Sequence, residues 1–101
     1  MRMLMNVRIP HQTFNAAVKN GTAGAKLKKV LDATKPEAIY FTEQNGLRTA
    51  VVIVDLPDTS KIPALVEPWF LTFDASIHIH PVMLPEDLKR AGLDAIGKKW
   101  K

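Results

Sequence analysis

Ala50-Val51-Val52-Ile53-Val54 is apolar at every position, bounded by Thr49 on one side and Asp55 on the other. A strand with one wet face alternates apolar with polar residues, so an unbroken apolar run buries both of its faces. Just upstream, Asn45-Gly46 is the strongest short signal for a type I′ hairpin, because both central residues of that turn need positive φ. Ala38–Gln44 and Leu47–Asp55 are the expected arms of the hairpin. With a two-residue loop Glu43 opposes Arg48, Phe41 opposes Ala50 and Ile39 opposes Val52, giving one face a charged pair followed by apolar pairs. Tyr40, Thr42, Thr49 and Val51 line the other face.

Toward the N-terminus, Arg2–Ile9 reads as a strand with Met3, Met5, Val7 and Ile9 on one face and Leu4, Asn6 and Arg8 on the other. Pro10 ends it. Phe14, Ala17 and Val18 follow at helical spacing, Asn20-Gly21-Thr22-Ala23-Gly24 interrupts, and Leu27, Val30 and Leu31 resume an apolar stripe that Pro36 closes. Beyond the hairpin, the chain turns at Pro57-Asp58, and Thr59 or Ser60 is placed to cap a helix that tolerates Pro63 in its first turn. Pro68 would clash with the carbonyl of Ala64, so this helix is expected to kink or end near Glu67 and restart as a short turn carrying Trp69, Phe70 and Phe73. A last strand, Ser76–Val82, precedes a helical extension over about 85–101, opened by Leu84-Pro85-Glu86-Asp87 with acidic residues where the helix dipole favours them.

Strand, helix, strand, strand, helix, strand is the βαββαβ order of the ferredoxin-like fold, an α+β class, with strands one and three at the centre of a four-stranded antiparallel sheet. Right-handed crossovers put both helices on one face of that sheet. The other face, carrying Val51 and Ile53 or Ala50 and Val52, would be an apolar patch larger than a monomer usually exposes. A homodimer closing sheet on sheet would cover it through an isologous interface.

The chain has 101 residues, 47% of them hydrophobic, a size and composition suited to a single domain over 1–101 with one core. Cysteine is absent, which excludes disulfides, thiolate metal sites and thiol nucleophiles, and a cytoplasmic address is expected. Met1–Ile9 is broken by Asn6 and Arg8 and lacks the features of a signal peptide, and no stretch approaches a membrane span. The formal charge is +4. Lys26, Lys28 and Lys29 form one basic cluster and Lys98, Lys99 and Lys101 another, but neither is joined to a nucleic-acid motif, so a solvated helix face and a basic tail account for them.

As a set, Lys35-Pro36-Glu37-Ala38-Ile39-Tyr40-Phe41, Asn45-Gly46-Leu47-Arg48, Ile62-Pro63-Ala64-Leu65-Val66-Glu67-Pro68-Trp69-Phe70 and Pro81-Val82-Met83-Leu84-Pro85-Glu86-Asp87-Leu88 resemble the dimeric α/β-barrel superfamily, and within it an uncharacterised bacterial family. The resemblance implies a homodimer whose two sheets form a barrel, with a cleft in each subunit between sheet and helices. Other branches of that superfamily include cofactor-independent monooxygenases, lactone isomerases, haem-using enzymes and amino-acid-sensing domains, so no reaction is carried over.

His78 and His80 stand two apart on the last strand, on one face, with Cβ atoms roughly 7 Å apart. They are candidates for acid–base chemistry, or for holding a metal if His11, Glu43, Glu67 or Asp74 completed the set; polar residues on a half-exposed edge strand are the simpler reading. Asn6 and Arg8 are expected to converge with them, either in the cleft with Tyr40 or Arg48 as polar anchors, or across the dimer. Trp69 and Phe70 either wall a pocket for a flat ligand or plug the core. Asn20 to Gly24 lacks the ending of a phosphate-binding loop and reads as a helix cap and restart. The expected ligand set is thus Asn6, Tyr40, Arg48, Trp69, Phe70, His78 and His80, around a small apolar or aromatic molecule, with no metal or cofactor. An enzyme would use His78 or His80 to move a proton and Asn6 or Arg48 to steady an oxyanion; a purely structural interaction module is the third reading.

Overall fold

In the computed structural model, which describes residues Met1–Lys101, the order is β1 (Arg2–Ile9), α1 (His11–Lys19), α2 (Ala23–Thr34), β2 (Ala38–Gln44), β3 (Leu47–Asp55), a 3₁₀ turn (Thr59–Lys61), α3 (Ile62–Phe73), β4 (Ser76–Pro81), α4 (Pro85–Arg90) and α5 (Leu93–Lys99). The strands form one antiparallel sheet in the order β2-β3-β1-β4. This α+β arrangement is compatible with the ferredoxin-like fold.

The hairpin takes the register expected of it, from Ala38 opposite Ile53 to Gln44 opposite Leu47. Asn45 and Gly46 have φ of 53° and 79°, the positive values that a type I′ turn demands. Along β1 the burial alternates strictly: Met3, Met5, Val7 and Ile9 are buried and their neighbours are not. Met3, Met5 and Val7 pair with Val54, Val52 and Ala50, and this strip packs under Val30 of α2 and Leu65, Val66, Trp69 and Phe73 of α3 in a single core. Each large apolar side chain so buried contributes about 1.5–3 kcal/mol. Val51 and Ile53 point the other way, half-buried on the helix-free face.

Four local expectations are corrected. Pro68 neither ends nor restarts a helix: α3 runs unbroken from Ile62 to Phe73 through it, because Trp69 and Phe73, both 0% exposed, are held in the core one turn apart. Neither Thr59 nor Ser60 caps that helix, which starts after Lys61 without a side-chain cap; Asp58 caps the 3₁₀ turn before it, its carboxylate accepting from the Ser60 amide and hydroxyl and thereby held below the usual aspartate range. Val18 turns outward although Phe14 and Ala17 turn in. β4 stops at Pro81, with one further bond from the Val82 amide to the Arg2 carbonyl.

On the helix-free face Asn6 Nδ2 donates to Gln44 Oε1 at 2.7 Å, Gln44 Nε2 donates to Asn6 Oδ1 at 2.8 Å, and Arg8 Nε donates to the same Gln44 Oε1 at 3.0 Å. Arginine has no acceptor, so its donation fixes which end of the Gln44 amide is oxygen. Asn6 lies level with Tyr40, two strands over and four residues along from Gln44. On a flat sheet those Cα atoms would be roughly 16 Å apart, beyond the roughly 11 Å these side chains bridge. The sheet therefore curls toward its helix-free face, and Thr49, beneath the bridge, is 1% exposed.

The C-terminal segment stands apart from this body. No residue after Ala75 is buried, and the radius of gyration is 17.2 Å where a compact domain of this length has about 13 Å. No helix is long and apolar enough to cross a membrane.

Candidate functional site

A cleft of about 290 Å³ opens between the sheet and the α1–α2 pair. Ile9 of β1 and Phe41 of β2 form its floor, Phe14 of α1 and Leu27 of α2 its wall, and Arg48 its rim; it also borders Thr42 and Thr49, whose side chains belong to the opposite face of the sheet. Its origin is local. Pro10 ends β1 and starts α1 at once, so Phe14 lies one turn in, back over the sheet, where its ring meets Phe73 at 5.3 Å between centroids. Thr13 donates to the Phe73 carbonyl at 2.7 Å, tying the start of α1 to the end of α3. The helices do not reach across to the edge strand β2, so Phe41 remains 57% exposed on the helix-bearing face. Small Ala50 beside it leaves the floor low.

Arg48 is the one charged residue of the lining. Its Cζ lies 4.7 Å from the centroid of the Phe14 ring, and Nη1 donates to Asn15 Oδ1 at 2.8 Å. The ring attracts the cation and the amide orients it. Although Glu43 is its cross-strand neighbour, the expected charged pair does not form: Glu43 accepts from the Gly46 amide at 3.0 Å, and Arg48 is in none of the ion pairs of the molecule. Of the five N–H donors of this guanidinium, only one is engaged within the chain, by Asn15.

The other six residues expected to line the cleft lie elsewhere. Asn6, Tyr40, His78 and His80 are all on the helix-free face, where Asn6 opposes His78, Leu4 opposes His80 and Tyr40 opposes Val51. The sheet thus stands between Arg48 and both histidines. The convergence of Asn6 with the histidines is as expected, but it takes place on the side opposite the helices. His78 instead borders a separate recess of about 430 Å³ with Arg8, His11 and Ser76. No three histidine, aspartate or glutamate side chains gather to hold a metal ion. Trp69 is fully buried 6.3 Å from Phe73, and Phe70 packs against the core; neither lines the cleft.

The residues missed are Phe14, Leu27, Phe41 and Asn15. Phe14 and Leu27 were visible as apolar stripes and Phe41 as the partner of Ala50. What the stripes did not disclose is how far the helix layer extends over the sheet. The lining offers apolar surface and one orientable cation; the side chains of Thr42 and Thr49 lie on the other face of the sheet, where Thr49 donates its hydroxyl proton to the Leu47 carbonyl. Such a set binds and orients; it contains no histidine or carboxylate to move a proton.

Fold and cleft together define a small α+β domain with a ligand-sized recess on the helix side of its sheet. Compared with known proteins, the chain matches no family model and no curated sequence.

Proposed function

We propose that this protein is a homodimeric α/β-barrel binding protein that holds a small apolar or aromatic molecule in the cleft beneath α1 and α2. The observation that carries the reading is Arg48, a cation without a carboxylate partner set between Phe14 and Asn15 at the rim of an apolar recess. A molecule with a flat apolar body and one carbonyl, carboxylate or sulfonate would place its body against Phe14, Leu27 and Phe41 and its oxygen on the guanidinium. The resemblance of the chain to dimeric α/β barrels and the curl of its helix-free face support pairing sheet to sheet, which would cover Leu4, Val51 and Ile53. The oxygenase or isomerase reading loses the combination of Arg48 with a histidine, since the two lie on opposite sides of one sheet.

Anilinonaphthalene sulfonate, an aromatic anion that brightens in apolar sites, is a suitable probe. Saturable binding of one molecule per chain is expected, with Arg48→Ala or Phe14→Ala weakening it about tenfold, the equivalent of roughly 1.4 kcal/mol, and His78→Ala with His80→Ala leaving it unchanged. Equal binding by Arg48→Ala and wild type, or loss on removing the histidines, would refute the assignment.

A further inference from the structure

Residues 82–101 carry a row of apolar side chains that the fold of the chain leaves exposed. Leu88, Leu93, Ile96 and Trp100 are exposed at 45%, 57%, 48% and 79%. Leu84 and Leu88 are four apart at the start of α4, and Leu93, Ile96 and Trp100 recur at the spacing of one face of α5. α4 has six residues and α5 seven, whereas isolated helices shorter than about 12 residues are marginal in water. An Asp87 cap on the Leu84 amide and an exposed Asp87–Arg90 pair do not offset that. The arm needs a surface to pack on.

Three observations select a second copy of this chain. The helix-free face is built of strands of 8, 7, 9 and 6 residues and at roughly 4.8 Å spacing and roughly 3.3 Å rise has a plan area of roughly 480 Å², against about 800 Å² per partner in a standard stable interface. The face alone falls short. The arm leaves from Pro81 at the end of β4, on the edge of that same face, and is tied there by the Val82–Arg2 bond of 3.1 Å. The molecule is 60 Å long against 28 and 18 Å across, so the arm projects well beyond the body. A membrane surface would favour the lysines around Trp100, but Glu86 and Asp87 balance Lys89 and Arg90 on α4, so the apolar stripe is not backed by a continuous basic face.

We infer that two copies exchange these arms, each laying Leu88, Leu93, Ile96 and Trp100 across the other subunit; this rests on the sheet-to-sheet dimer proposed above. Trp69→Phe leaves Trp100 as the sole indole of the full-length chain, and its emission and acrylamide quenching are read across a dilution series alongside sedimentation. Trp100 should be shielded in the dimer and freely quenched on dilution to monomer. Because Leu93 is exposed in the monomer, Leu93→Asp leaves the body intact and should raise the dimer dissociation constant about tenfold or more. A dimer with freely quenched Trp100, or a dissociation constant unchanged in Leu93→Asp, overturns arm exchange and leaves the sheet-to-sheet dimer standing. A monomer at every concentration overturns both. Shielding that appears only with phosphatidylserine vesicles overturns the exchange in favour of a lipid surface.

Discussion

Glu43 and Arg48 oppose each other across the hairpin as their positions require, yet their side chains turn to other partners. Register follows from the loop length of Asn45-Gly46 and was legible; the choice among side-chain partners was not, because an exposed ion pair is worth about 0–1 kcal/mol and a ring plus an amide outbid it for Arg48. The Asn6–Gln44 bridge was hidden for another reason: it depends on sheet curl, which no local pattern reports. Trp69 presents a different residue-scale problem. Its indole N–H is buried without an acceptor, and such a group costs about 1–3 kcal/mol. Trp69→Phe removes the orphan donor along with some packing, and is expected to lower urea-unfolding stability by only about 1 kcal/mol, against at least about 3 kcal/mol for Trp69→Ala. Equal losses in the two variants, followed by circular dichroism, would mean that the indole nitrogen is satisfied in solution.

Elements whose signals are local and strong were readable nearly to the residue. β1 ends at Pro10 and the hairpin arms are Ala38–Gln44 and Leu47–Asp55, as turn chemistry and alternation require. α3 was not readable, since the local penalty of Pro68 competes with a tertiary gain that sequence spacing does not price. An interior proline costs about 3 kcal/mol relative to alanine, and burying Trp69 and Phe73 on the far side of it returns at least that much. The hydrogen bond that Pro68 cannot give to the Ala64 carbonyl is still missing in the folded protein. Pro68→Ala restores the amide that the Ala64 carbonyl lacks, and after allowing about 0.4–1 kcal/mol for the freer unfolded chain a net gain of roughly 2 kcal/mol in unfolding free energy is expected. A loss instead would show that the ring of Pro68, which lines the groove between α2 and α3, carries packing of greater worth than the bond.

At the scale of the whole molecule, the apolar run from Ala50 to Val54 has divided its residues between two duties. Ala50, Val52 and Val54 are fully enclosed beneath the helices, while Val51 and Ile53 are only half-buried on a face that curls around the Asn6–Gln44–Arg8 bridge. The run led to the expectation that both sides of β3 need cover; the helices of this chain cover one. Val51 lies between Tyr40 of β2 and Asn6 of β1, near the middle of the uncovered side, so it is the position from which to test pairing. In a free subunit Val51→Lys extends its ammonium to water along its own aliphatic stem and leaves the core untouched. In a sheet-to-sheet dimer the symmetry brings two such ammonium groups into one interface, where unpaired buried charge is penalised by several kcal/mol. Wild type should therefore sediment as a dimer at micromolar concentration and Val51→Lys as a monomer, its dissociation constant raised about a hundredfold or more, or roughly 3 kcal/mol, with the far-ultraviolet spectrum unchanged. A Val51→Lys protein that remains dimeric would place the interface elsewhere and leave the half-buried face of β3 without a partner.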